Sequence, residues 1–189
     1  MFHVEQSNKV KINMSIETLK NSVRNIPDFP KKGIQFKDVT TLFKDGENLQ
    51  ELSDILYELY KDKGITKVVG IESRGLIMGP VLATRLGVGF VPIRKPGKLP
   101  AAVYEESYGK EYGDDTVQIH QDALSSEDVI LLHDDLLATG GTMIASYKLT
   151  QKFNPKKAYI NFLVELEELE GRKAFGSDVE VTSLIQYPI

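Results

Sequence analysis

Between Val129 and Thr142 an apolar run leads into two adjacent carboxylates and then into small, hydroxyl-bearing and glycine residues: Val129-Ile130-Leu131-Leu132-His133-Asp134-Asp135-Leu136-Leu137-Ala138-Thr139-Gly140-Gly141-Thr142. The consecutive apolar residues Val129 to Leu132 predict a strand covered on both faces, as in a parallel sheet. The residues after the strand predict a tight loop and then a helix from Thr142. Ala138 to Thr142 can turn successive backbone N–H groups toward an anion, with the Thr139 and Thr142 hydroxyls as further donors. Gly140 and Gly141 permit positive φ and close backbone approach. The helix adds the positive end of its dipole. Two neighbouring carboxylates at a strand end are costly unless something uses them. An anion loop beside a carboxylate pair matches a phosphorylated sugar, with Asp134 and Asp135 accepting hydrogen bonds from ribose hydroxyls. No lysine follows the glycines, so the loop is not of the nucleotide-triphosphatase type.

The rest of the chain is consistent with that architecture. Apolar residues recur at helical spacing over 16–26 (Ile16, Leu19, Val23, Ile26) and over 49–59, ending near Lys63-Gly64. Pro27, Pro30 and Gly33 predict a loop between them. Lys67 to Ile71 predicts a strand, the helical spacing after Gly75 a helix running to Leu86-Gly87, and Val88 to Ile93 a strand. Residues 100–119 predict two extended arms around a polar loop. A helix over 142–153 and strands over 158–164 and 179–185 complete the pattern. Strands alternating with helices predict an α/β fold with a parallel core sheet. Ligands of such sheets bind at the carboxyl ends of the strands. Glu72-Ser73-Arg74, Arg94-Lys95 and Asp134-Asp135 each follow a predicted strand, so they should converge.

Composition narrows the partners. At 189 residues, residues 15–189 should form a single domain after a polar extension over 1–14. The net charge of −4 disfavours nucleic acid, although Arg94, Lys95 and Lys98 form a local basic cluster suited to a small anion. No run is apolar enough to span a membrane, and no signal peptide is expected. Cysteine is absent, which excludes disulfides and thiol chemistry and fits a cytoplasmic location.

Several segments carry a family resemblance. Asp134 to Thr142 resembles the phosphoribosyl pyrophosphate (PRPP) motif of type I phosphoribosyltransferases, in the form found in the adenine phosphoribosyltransferase family. Asp28-Phe29-Pro30 with Gly33-Ile34-Gln35-Phe36-Lys37-Asp38 is similar to that family's purine-contacting segment. Gly70 to Gly75 resembles its pyrophosphate loop, Ile93 to Pro100 its basic segment, Tyr108 to Gly113 its flexible catalytic loop, and Leu163 to Arg172 its last core strand and following turn. The resemblance covers about residues 16 to 187. It implies the type I phosphoribosyltransferase fold, with a small N-terminal hood mainly from 15–40. It implies transfer of the phosphoribosyl group from PRPP to adenine with inversion at C1, giving AMP and pyrophosphate in purine salvage. It also implies a homodimer, with some basic residues reaching a neighbouring subunit's site.

The resemblance assigns roles to residues. Asp134, Asp135, Ala138, Thr139, Gly140, Gly141 and Thr142 would hold the ribose and its 5′-phosphate. Ser73, Arg74, Arg94, Lys95 and Lys98 would bind pyrophosphate. Glu111 would meet N7 of adenine, as general acid or hydrogen-bond partner. Tyr112 either helps close a lid or is a plain loop aromatic. Gln35, Phe36, Lys37 and Leu166 would select the base, with Phe36 either stacking on the purine or anchoring a core. Mg²⁺ should arrive with PRPP rather than in a protein cage, because it prefers phosphate oxygens and water. Gln35, Lys37 and His133 depart from residues common in the family at these places. His133 either tunes the carboxylates or is a tolerated strand-end residue. Two other readings compete: transfer to a 6-oxopurine, and a non-catalytic PRPP-sensing regulator. The regulator would be expected to lose a carboxylate or Arg74, or to gain a broad basic face, and the sequence has none of these features.

Overall fold

A computed structural model describes residues 15–109, 114–177 and 179–188, with Asp114 by its backbone alone. The chain divides into two compact units between Glu58 and Leu59.

In the first unit, a helix over 15–22 (α1) precedes a hairpin of β1 (Arg24–Pro27) and β2 (Gln35–Asp38). The hairpin is antiparallel, pairing Arg24 with Asp38 and Pro27 with Gln35. The helix expected to reach Ile26 stops short of it. Pro27 disfavours helical geometry in the residue before it, and Ile26 enters the strand instead. Asp28 closes the connection by accepting a hydrogen bond from the Gly33 N–H at 2.7 Å. The short α2 (Thr40–Phe43) follows, its entry fixed by Asp38, which accepts from the Thr40 N–H at 3.0 Å and the Thr40 hydroxyl at 2.6 Å. Burial pushes the Asp38 carboxyl up, but these bonds and the Arg24 guanidinium outweigh it and bring its pKa to about 2. Asp45 caps α3 (Gly46–Tyr60) by accepting from the N–H groups of Glu47 and Asn48, both at 3.0 Å.

The second unit is built on a five-stranded sheet, wholly parallel, in the order β4-β3-β7-β8-β9. Its strands are β3 (Lys67–Ile71), β4 (Gly89–Ile93), β7 (Val129–Leu137), β8 (Lys157–Leu166) and β9 (Glu180–Tyr187). Helix α4 (Gly75–Leu86) links β3 to β4, and α5 (Gly141–Gln151) links β7 to β8. A separate antiparallel ribbon, β5 (Val103–Gly109) and β6 (Asp114–His120), forms the two expected arms. Val69, Ile71, Ile93, Ile130, Leu132, Ile160 and Phe162 make the sheet's share of the core, joined by Val117 and Ile119 of the ribbon and Met143 and Leu149 of α5. Each such side chain contributes roughly 1.5–3 kcal/mol on burial. The Phe90 ring leaves no room for side chains at two glycines. A Cβ at Gly70 would stand 2.7 Å from the ring, and one at Gly79 2.6 Å from it.

One strand boundary differs from expectation in a way that shapes the site. Val129 to Leu132 was expected to be the whole strand, with the carboxylates beyond it. Instead β7 runs on to Leu137. Its pairing with β3 stops at Gly70–His133, while its pairing with β8 continues to Leu137–Glu165. Asp134 and Asp135 therefore lie on a strand bonded on one side only, with their β3 flank open. Among the described residues no helix is long and apolar enough to cross a membrane.

Candidate active site

The open flank of β7 borders a cavity of about 330 Å³, lined by Glu72, Ser73, Arg74, Lys95, Tyr108, Asp115, Asp134, Asp135, Leu136 and Thr142. Ser73 and Arg74 come from the turn between β3 and α4, and Lys95 from just beyond β4. The carboxyl ends of three adjacent strands thus meet there, as the strand-end placement of the motifs predicts.

Ion pairs hold the walls. Arg74 donates from Nε to Asp135 Oδ2 at 2.5 Å. Asp135 is buried, with its side chain only 5% exposed. Burial, and then the neighbouring Asp135 charge, push the Asp134 carboxyl well above the usual carboxylate range. Asp134 also accepts a hydrogen bond from the Asp135 N–H at 2.9 Å. The pair is thus one charged carboxylate neutralised by Arg74 and one that resists losing its proton. Such a pair can both accept from and donate to sugar hydroxyls.

Glu72 takes part although its sequence context assigned it no role. The parallel register places Ile71 opposite Ile93, which puts Glu72 beside Arg94. Glu72 Oε2 accepts from Arg94 Nε and from the Lys95 N–H, both at 2.8 Å. The Arg94 bond is the main cause of a lowered Glu72 pKa, opposed by burial and aided by the Lys95 amide. Lys95 is thereby aimed into the cavity, where its ammonium bonds Asp115 and approaches the Tyr108 hydroxyl at 3.2 Å. The Tyr108 hydroxyl donates to Asp115 Oδ2 at 3.0 Å and lies 2.8 Å from Thr142 Oγ1.

A second cavity, of about 90 Å³, opens at the start of α5, among Ala138, Thr139, Gly140, Gly141 and Thr142. Gly140 caps the helix with φ +84°. The two cavities share Asp134, Leu136 and Thr142 in their walls. Two short 3₁₀ turns follow β8, Glu167–Leu169 and Gly171–Ala174. Gly171 backs the loop so closely that a Cβ there would stand 2.0 Å from the Ala138 carbonyl oxygen. Arg172 fixes that turn. It donates from Nε to Glu165 Oε1 at 3.0 Å and from Nη1 to the Val181 carbonyl at 2.6 Å, and Nη2 bonds Glu165 Oε2.

The remaining sequence candidates fall in different places. Arg94 turns to Glu72, and Lys98 is exposed beyond both cavities, acting on Glu72 only through its charge. Leu166 is half-buried at the end of β8. Gln35, Phe36 and Lys37 lie on β2 of the first unit, where Phe36 packs edge-on to Phe29 with ring centres 5.1 Å apart. Glu111 and Tyr112 lie outside the described residues. Asp115 was missed, while Glu72 and Tyr108 fall in segments flagged from the sequence but were given no role of their own. The sheet register signals Glu72, and the ribbon register, which sets Tyr108 opposite Asp115, signals the other two.

Comparison with known proteins places the chain in a family. Residues 38–185 fit the family model described as a phosphoribosyl transferase domain. The chain is 70% identical to an adenine phosphoribosyltransferase of Bacteroides thetaiotaomicron, over 91% of this chain and 98% of that one. A crystal structure of adenine phosphoribosyltransferase from Rhodothermus marinus superposes with a TM-score of 0.86 at 46% identity, covering 93% of this chain and 99% of the other. The Saccharomyces cerevisiae enzyme, complexed with an imino-altritol bisphosphate and adenine, gives 0.85 at 36% identity, covering 91% and 99%.

Proposed function

The chain belongs to the adenine phosphoribosyltransferase family, and on that premise we propose how its own residues move the phosphoribosyl group of PRPP to adenine in purine salvage, giving AMP and pyrophosphate. The observation that carries the reading is the wall shared by the two cavities: Asp134, Leu136 and Thr142 border both the glycine loop and the cationic chamber. A sugar laid along that wall has its 5′-phosphate at the start of α5, its hydroxyls on Asp134 and Asp135, and its pyrophosphate near Ser73, Arg74 and Lys95.

In the reaction the C1–O bond breaks, its electrons leave with pyrophosphate, and adenine N9 attacks the opposite face of C1, inverting it. The sugar passes through an oxocarbenium-like state. In this reading Asp135 supplies the carboxylate beside that positive charge, and Asp134 holds the ribose hydroxyls. Arg74 and Lys95 hold the departing group, and the loop amides fix the 5′-phosphate so that C1 and N9 stay aligned. Glu111 acts at N7 as general acid or hydrogen-bond partner, while the N9 proton passes to the released pyrophosphate or to water. Tyr112 is the further candidate next to it in sequence. Gln35, Phe36, Lys37 and Leu166 select adenine, chiefly through the backbone of β2.

The chamber's charges are already matched, Asp135 by Arg74, Asp115 by Lys95 and Glu72 by Arg94, while Asp134 resists losing its proton. A polyanion entering such a chamber needs added positive charge. Mg²⁺ would arrive on PRPP, held mainly by phosphate oxygens and water, and would neutralise phosphate charge there. Residues 15–189 act as one domain in this reading, with 1–14 outside it. The enzyme works as a cytoplasmic homodimer, the exposed basic segment around Lys98 lying toward the second subunit.

The test is a purine panel. Purified protein with PRPP and Mg²⁺ is mixed with adenine, hypoxanthine, guanine or xanthine, and nucleotide formation is followed. AMP from adenine alone is the expected result. Turnover of a 6-oxopurine would overturn the base assignment, and no turnover with PRPP still bound would favour a sensor. The same preparation should sediment at about twice the 21.2 kDa chain mass.

A further inference from the structure

The cation proposed to meet the leaving group already has a carboxylate on it. The Lys95 ammonium is paired with Asp115, their side chains 32% and 19% exposed, inside the chamber that Ser73 and Arg74 also line. We propose that Asp115 is an internal competitor for pyrophosphate: its carboxylate takes up Lys95 while the site is empty and must yield it when PRPP or pyrophosphate binds. The inference rests on the assignment of Lys95 to pyrophosphate given above.

Three features make Asp115 more than a chance surface partner. It sits on the ribbon directly opposite Tyr108, and the Tyr108 hydroxyl donates to it at 3.0 Å. The same hydroxyl lies 2.8 Å from Thr142 Oγ1 in the phosphate loop, so the group that holds the carboxylate is itself held by that loop. Finally, the two arginines beside Lys95 are also matched: Arg74 by Asp135 and Arg94 by Glu72. Those two partners border the ribose face or the chamber floor. Asp115 alone comes from the ribbon, so its exchange leaves the strand-end carboxylates in place. A phosphate group carrying two charges attracts one ammonium more strongly than a single carboxylate at the same distance, and in this proposal the displaced Asp115 keeps its Tyr108 bond. When pyrophosphate leaves, Asp115 returns to Lys95 and weakens recapture of the product.

The test measures binding of magnesium pyrophosphate, and the KM for PRPP, in the wild type, Asp115→Asn, Lys95→Ala and the double variant. Removing the competitor should tighten pyrophosphate binding and lower the KM for PRPP about three- to tenfold, without raising kcat, because the gain lies in the bound ground state. Lys95→Ala should weaken binding, and Asp115→Asn should bring no gain in that background. If Lys95→Ala weakens binding while Asp115→Asn leaves it unchanged or weakens it, Asp115 merely steers Lys95 and the competitor role is overturned. Equal tightening with and without Lys95 would also overturn it, as a nonspecific charge effect. If Lys95→Ala changes nothing, the Lys95 assignment itself fails.

Discussion

His133 lies with no solvent exposure immediately before the carboxylate pair. Its Nδ1 is 2.8 Å from Asn161 Oδ1, and its Nε2 is buried without a hydrogen-bond partner. The neutral ring, donating from Nδ1 to Asn161, satisfies that geometry, whereas a protonated ring would leave a buried charge unpaired. Burial accordingly pushes its pKa down to about 4, against weaker opposing pulls from Asn161 and Asp135. The folded pKa is below the unfolded value near 6.5, so the unfolded chain binds the extra proton. Stability from this group is complete above about pH 6.5 and is lost as pH falls toward 4, by up to roughly 3 kcal/mol. Urea unfolding at pH 7 and pH 4.5 should show that loss, and His133→Leu should flatten the slope. An unchanged slope in the variant would assign it to other groups. The carboxylates, the glycine loop and Arg74 were legible in the sequence because their chemistry is local. Glu72, Tyr108 and Asp115 had no legible role, because each works through a partner, Arg94 or Lys95, from 13 to 22 positions away.

Among elements, the loop between β7 and α5 is shaped from behind by the turn after β8. Gly171 touches the Ala138 carbonyl, and the Arg172–Glu165 pair keeps that turn against the sheet. Gly171→Ala must shift one backbone or the other, costing about 1–3 kcal/mol of stability. The same shift should weaken ribose 5-phosphate binding about tenfold or more while leaving pyrophosphate binding near wild type. Calorimetry with the two ligands separates the outcomes, and equal losses for both would mean that the turn supports the whole site rather than the phosphate loop. Most strands and helices of the second unit were legible from apolar runs and helical spacing. The β1–β2 hairpin was not, since Gln35-Phe36-Lys37-Asp38 is mostly polar and its pairing comes from the turn that Asp28 closes. The extension of β7 through Asp134 and Asp135 was hidden for the opposite reason. Carboxylates read as a strand end, yet β8 continues beside them and keeps the backbone extended.

For the whole molecule, a ligand that binds only the folded state raises stability by mass action. PRPP with Mg²⁺ at a hundredfold excess over its Kd should add about 2.7 kcal/mol, or about 5–10 °C in Tm for a chain of this size. Asp134→Asn combined with Asp135→Asn should abolish most of that rise while the ligand-free protein still melts cooperatively. A full rise in the double variant would remove the pair from the ribose role. The parallel order of the main sheet follows from alternating strands and helices. The division near Glu58 has no composition shift to announce it, because α3 runs through the boundary. The Phe90 ring, lodged against Gly70 of β3 and Gly79 of α4, has a historical consequence. Positions 79 and 90 form a lock in which the order of change matters. A lineage could acquire alanine at 79 only after residue 90 had shrunk, and once it was established, return of the phenylalanine would be barred. Position 70 stays closed in either order, because a Cβ there would also stand 2.8 Å from the Gly75 carbonyl oxygen.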